Sequence, residues 1–258
     1  MPGEEVMKIA GHSKWSNIKR RKARVDAQKG KIFTKLAREI IVAAKEGGAD
    51  QETNFRLRLA VQKAREANMP NDNINRAIQR GSGEGDTLKL EELYYEGYGP
   101  GGVAVLLEIM TDNRNRTAGE IRHIFSRRGG NMGESGCVAW MFERKGYLGL
   151  DKEEGLPAED DLMLLALEAG AEDFKDEDSS YAIITSPEDY EKVKDELMKQ
   201  GLTPATSEIS MLPTSTIRIE GAEEATEVLA LMEDLEEHDE VQNVYANFDI
   251  PEEIMQAL

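Results

Sequence analysis

Apolar residues recur at helical spacing through the first third of the chain. In residues 31–46, "KIFTKLAREIIVAAKE", Ile32, Leu36, Ile40 and Ala43/Ala44 fall on one face, and Gly47-Gly48 ends the run. Residues 54–67 repeat the pattern with Phe55, Leu59, Val61 and Ala64. "MPNDNINRAIQRG" then predicts a short helix capped by Asn71 or Asp72 and closed by Gly81. Upstream, residues 14–28 carry only a narrow apolar stripe, Trp15, Ile18 and Val25, with bases on most of the remaining circumference. A helix of that kind buries little against its own domain, so it is expected to project as an arm or lie with its charged side outward.

After "GSGEGDT" (81–87), a linker by composition, the texture changes to alternating strands and helices. The pattern predicts strand 103–111, helix 116–128 and strand 137–143, and far downstream strand 214–219, helix 222–236 and strand 241–248. Between these sets lie strand 144–150, helix 160–169, strands near 171–175 and 180–185, helix 187–200 and strand 203–210. That inner order, β-α-β-β-α-β, is the ferredoxin-like pattern. The expected fold class is therefore α+β and multi-domain: an N-terminal helical domain followed by two α/β (ferredoxin-like) domains, one inserted in the other. The corresponding boundaries are 1–80 for the helical domain, 81–90 for the linker, 91–142 plus 211–258 for the discontinuous α/β domain, and 143–210 for the acidic insert.

Charge changes this picture most. The chain holds 50 acids and 32 bases, a net −18, but the two signs are segregated. Residues 1–80 hold 18 bases and 9 acids, net +9, and residues 81–258 hold 14 bases and 41 acids, net −27. The positive end is concentrated in "HSKWSNIKRRKARVDAQKGKIFTK" (12–35), where Lys14, Lys19, Arg20, Arg21, Lys22, Arg24, Lys29, Lys31 and Lys35 face one acid, Asp26. Such asymmetry points to a polyanion partner for the basic part. Each Lys or Arg that neutralises a phosphate releases counterions, so affinity is expected to fall steeply with salt. With Trp15 interleaved, and without helix-turn-helix spacing, zinc ligands or a heptad-linked basic region, the block suits backbone or shape recognition of DNA or RNA. The acidic remainder repels nucleic acid and confines contact to one face.

A second basic island, "DNRNRTAGEIRHIFSRRGGNMG" (112–133), offers Arg114, Arg116, Arg127 and Arg128 as secondary nucleic-acid contacts. Ile121, Ile124 and Phe125 form the buried face of its helix. The alternative is that these arginines pair with the surplus acids of the same half. Tyr94, Tyr95 and Tyr98 could stack on bases, although strand packing is expected for two of them.

Catalytic and cofactor signals are weak. "GYGPGG" (97–102) matches the dinucleotide fingerprint in letters, but a strand follows it, so it reads as a turn. Cys137 opens the apolar "CVAWMF" and reads as a small buried hydrophobe; His12, His123 and His238 are scattered, with no zinc spacing. The acid runs "DKEEG" and "FKDEDSS" read as solvated, turn-rich surface. No enzyme, cofactor or metal is expected. The single cysteine fits a reducing cytosol, and no apolar stretch approaches the ~20 residues of a membrane span, so a cytoplasmic protein is expected. The Arg-rich, acid-poor start has a transit-peptide flavour. Glu4, Glu5 and the patterned helix that follows argue against it.

Three stretches, "AGHSKWSNIKRRKARVDAQKGKIFTKLAREI" (10–40), "DNRNRTAGEIRHIF" (112–125) and "GGNMGESGCVAWMFERKG" (129–146), resemble the YebC family. Its relatives include the mitochondrial translational activator of cytochrome c oxidase subunit I. The resemblance runs from Ala10 onward and implies three lobes and a probable transcriptional regulator that binds DNA. The alternative it implies is a ribosome-associated translation factor that contacts ribosomal RNA and eases synthesis of proline-rich stretches. Carried onto this chain, the family's basic motif matches His12, Lys14, Trp15, Lys19, Arg20, Arg21, Lys22 and Lys31. Cys137 departs from the family's common serine. The expected partners are nucleic acid, DNA or ribosomal RNA, together with the ribosome and its basic proteins, and no membrane.

Overall fold

The structure is a computed structural model that describes residues 29–83, 90–152, 156–177 and 180–257. The helix expected over 14–28 and most of the 81–90 linker lie outside the described residues. The helical region contains α1 (Lys29–Gly47), α2 (Phe55–Glu66) and α3 (Asn71–Gly81). Ile40, Ile41, Ala43 and Ala44 of α1 pack against Leu57, Ala60, Val61 and Ala64 of α2 and Ile74 and Ala77 of α3. The buried stripe of α2 thus begins at Leu57, and Phe55 and Leu59 lie off it: Leu57, Val61 and Ala64 share a face at spacings of four and three residues. The buried Asn54 starts α2, accepting from Leu57 N at 3.0 Å and donating to the Ala43 and Gly48 carbonyls, each at 2.8 Å. One side chain therefore caps two helix ends at once. Helix α3 has no side-chain cap; Pro70 precedes it, and neither Asn71 nor Asp72 fills that role. Gly81 lets α3 close on α1, because a Cβ there would press on the Ile41 carbonyl and lie 2.7 Å from the Ala44 methyl.

The split domain is built on an antiparallel sheet ordered β3-β1-β2-β9: β1 (Glu91–Tyr98), β2 (Ala104–Thr111), β3 (Asn131–Met132) and β9 (Val241–Ala246). Helices α4 (Arg114–Arg127) and α7 (Ala222–Glu237) pack together on one face. Val105, Leu107 and Ile109 meet Ile121, Phe125, Val228, Met232 and Leu235 there. On the opposite face Ala104 and Leu106 meet Val138, Phe142 and Tyr245, and Met110 reaches the core of the helical region beside Leu90. Strand β2 is therefore buried on both faces, which explains the nearly unbroken apolar run "VAVLLEIM". A short parallel pair, β8 (Ile217–Arg218) with β10 (Phe248–Asp249), and α8 (Glu252–Ala257) complete this part.

One strand goes beyond the sequence expectations and one expectation fails. Strand β1 has no clean alternation, since "EELYYEGY" sets acids on both faces. Residues 137–143 are not one strand: a turn and a 3₁₀ segment (Ala139–Met141) lead into β4 (Phe142–Asp151). Strand β3 at 131–132 occupies the place expected for 137–143.

Between the halves, β4, α5 (Glu159–Ala169), β5 (Asp173–Asp176), β6 (Ser180–Thr185), α6 (Tyr190–Lys199) and β7 (Thr206–Pro213) follow in order. Their antiparallel sheet is ordered β5-β6-β4-β7, the ferredoxin-like arrangement, with α5 and α6 over Leu148, Leu150 and Ile183. The architecture is α+β: a helical N-terminal region followed by two α/β units, one interrupting the other. Among the described residues no helix is long and apolar enough to cross a membrane.

Candidate nucleic-acid interface

His12, Lys14, Trp15, Lys19, Arg20, Arg21, Lys22 and Arg24 lie outside the described residues; Lys29 begins α1, and its side chain is likewise outside them. The described root of the block is tied to the split domain. Lys31 Nζ donates to Glu237 O at 3.3 Å, Lys35 Nζ donates to Glu236 O at 2.7 Å, and Arg38 donates to Asp239 O. The Glu236 and Glu237 carbonyls end α7, where a helix leaves acceptors unsatisfied and carries partial negative charge, and Asp239 follows just beyond it. The same cations suit a phosphate backbone, so part of the block is already engaged with an internal anion-like surface. Lys35→Ala combined with Arg38→Ala is expected to loosen this docking. Amide exchange should quicken across α1 and stay unchanged in α5 and α6.

Lys31, Arg38 and Arg116 line one open hollow with Glu120, His123 and His238. The fold thus brings one end of the second island to the root of the first. Four of the island's five arginines, all but Arg122, also meet an acid of their own half. Arg116 pairs with Asp112 at 2.9 Å and with Glu240. Arg114 stands 3.9 Å from Glu91. Arg127 reaches Asp234 at 2.5 Å, and Arg128 grips the same carboxylate with two donors, at 2.6 and 3.1 Å. This geometry follows the internal-pairing alternative. The hydrogen bond from Arg128 holds the Asp234 carboxyl below its ordinary 3.8, assisted by Arg127 and opposed by partial burial. The sign follows: the stabilisation is complete above the ordinary carboxylate value and is lost as pH falls through the lower native one. Asp234→Asn should therefore lower stability near neutrality. The difference from the parent protein should shrink as pH falls below the ordinary carboxylate value and vanish once pH has passed the lower native one.

Glu120, His238 and Glu240 place ligand-type atoms within 4.8 Å of one another. The hydrogen bonds there already form a closed set. Glu240 N donates to His238 Nδ1 at 3.2 Å, which leaves the proton of the neutral ring on Nε2, 2.8 Å from Glu120. The Glu240 carboxylate is taken by Arg116 and by Thr117 Oγ1 at 2.5 Å. A metal would have to break both arrangements.

The segment 133–141 is organised by a residue that pattern reading missed. The buried Glu96 on β1 accepts from Gly136 N at 2.6 Å and from Val138 N and Ala139 N at 2.7 Å each. Tyr98 OH and Trp140 Nε1 both donate to Cys137 O, at 3.1 and 3.2 Å, and Trp140 is 70% exposed. Burial, reinforced by Glu96, pushes the Cys137 thiol up, the wrong direction for a nucleophile. The glycines of "GYGPGG" form the β1–β2 hairpin, closed by Gly99 N donating to Val103 O at 2.8 Å, and no helix N-terminus follows them. Tyr95 and Tyr98 pack against the two sides of the split domain, leaving Tyr94 45% exposed. Tyr94 lines a cleft where the helical region, the split domain and the insert meet, and desolvation there pushes its phenol up to about 12.

Residues 13–84 match the pattern of the TACO1/YebC protein N-terminal domain, and residues 90–248 match that of the TACO1/YebC second and third domain. A probable transcriptional regulatory protein of Natranaerobius thermophilus is 59% identical over 249 residues, covering 96% of this chain and 99% of the relative. One from Pelotomaculum thermopropionicum is 61% identical over 242 residues, covering 94% and 99%. The crystal structure of a conserved hypothetical protein of Aquifex aeolicus aligns with a TM-score of 0.79 at 50% identity, covering 91% of this chain and 96% of that one. With the three-part fold shared and both sequence patterns matched, the chain belongs to the TACO1/YebC family.

Proposed function

We propose that this chain is a non-catalytic regulatory protein of the cytoplasm that binds DNA through the phosphate backbone, using its basic N-terminal domain. The observation that carries this reading is the segregation of charge, net +9 over residues 1–80 against −27 over the rest. The relatives' name, probable transcriptional regulatory protein, agrees with it. Nine bases between His12 and Lys35 exceed what solubility requires, and two described ones, Lys31 and Lys35, already rest on helix-end carbonyls. The bases from Lys14 to Arg24 are therefore assigned the principal phosphate contacts. The arginines of α4 act as a supporting surface whose charge is largely balanced by Asp112, Asp234 and Glu240.

The ribosome is the second reading, and the acidity of the rest of the chain favours it. A surface of net −27 gains nothing from naked DNA, but it can meet basic proteins embedded in RNA. Two measurements separate the readings. A DNA regulator retains a preferred promoter fragment against excess bulk DNA. A ribosome-bound factor co-sediments with ribosomes at low salt and is released when the basic block is neutralised. Absence from ribosomes at low salt removes the second reading, and indifference among DNA fragments removes sequence-directed regulation.

A further inference from the structure

Helix α5 is apolar nearly all the way round: "LMLLAL" fills residues 162–167. Leu162, Ala166 and Ala169 face the insert's sheet. Met163, Leu164 and Leu167 point away from it, 38%, 56% and 44% exposed. Such all-round apolarity is expected of a helix covered on both sides. A contiguous apolar stripe with a polar rim marks an interaction surface. Here the rim consists of Glu159, Asp160, Asp161 and Glu168, all exposed, and none has a basic partner among the described residues. Other acids of the same lobe do have one: Glu172 binds Lys145, and Asp176 binds Lys152.

We infer that the outer face of α5 docks a basic amphipathic helix of a partner protein. Leu164 and Leu167 would take apolar side chains at spacings of three and four residues, and the acidic rim would take flanking Lys or Arg. Charge decides between the possible occupants. A second copy placed on this face by a two-fold axis would set the acidic rims against each other. Nucleic acid is repelled by a lobe holding 19 acids and 7 bases over residues 143–210. This inference does not depend on what the basic block binds.

The test uses the full chain and a labelled synthetic helix with a leucine stripe and lysines elsewhere, read by fluorescence anisotropy at low and high salt. The control is the same helix with glutamate in place of lysine. The lysine helix should bind, weaken with salt, and lose about tenfold or more in affinity to the Leu164→Asp, Leu167→Asp double variant. The Asp161→Lys, Glu168→Lys variant should weaken it similarly, which provides an independent arm if the first variant folds poorly. The glutamate helix should not bind. The proposal is overturned if the lysine helix fails to bind the full chain, if it binds the leucine variant equally well, or if the glutamate helix binds as tightly. It is also overturned if the parent chain sediments as a dimer that the leucine variant dissociates, which would assign the face to a second copy.

Discussion

Changing Arg20, Arg21 and Lys22 together to glutamate is expected to weaken polyanion binding severely and leave the fold intact. These three lie at the densest point of the block, and each reversal replaces an attraction to phosphate by a repulsion. Each phosphate no longer neutralised takes about 0.9 off the salt slope on duplex DNA, so the slope should shrink by about 3. Affinity at low salt should fall by roughly a hundredfold or more, because three counterion-releasing interactions disappear together. The melting temperature and circular dichroism should not change, since α1, α2 and α3 build their core from Ile40, Leu57, Val61 and Ile74 without these residues. Unfolding of the variant would give the block a structural role instead.

Glu96→Ala carries the largest expected effect on local structure. One carboxylate holds three backbone N–H groups of the 136–139 turn, and the site is buried. Removing it leaves those donors without an acceptor, at a cost of about 3 kcal/mol or more. Glutamine is not a rescue, because its amide turns an NH₂ toward donors where the carboxylate presented only oxygens. The turn controls how the chain passes from the split domain into β4, and it positions the exposed Trp140. Amide exchange at Gly136, Val138 and Ala139 should rise sharply, with α1 to α3 unaffected. Unchanged protection at these amides would show that the turn is held by Tyr98 and its own backbone instead.

The parts of the fold that announced themselves are those where one periodicity ruled. The ferredoxin-like insert was legible because Leu148, Leu150, Leu162, Val193 and Leu197 keep to strand and helix spacing around one core. Strand β1 was illegible because Glu92 faces the three-part cleft and Glu96 serves a turn, so its acids sit where alternation expects apolar residues. Residues 137–141 are apolar yet not strand, because Glu96, distant in sequence, claims their N–H groups. In α2 the exposed Phe55 obscured which face was buried. Of the candidate interface, charge alone located the basic block. No pattern in one sequence could show that Lys31, Lys35 and Arg38 rest on the end of α7, or that Asp234 gathers Arg127 and Arg128, since these partners lie more than a hundred residues apart.

The central claim is that this acidic protein grips nucleic acid through its positive N-terminal block, and the salt dependence of its affinity tests that most directly. Binding of the full chain to duplex DNA fragments of unrelated sequence should weaken linearly in log–log form as salt rises. A slope of about −5 or steeper would correspond to roughly six phosphate contacts. Binding that ignores salt, or no binding at the lowest salt, would contradict the account.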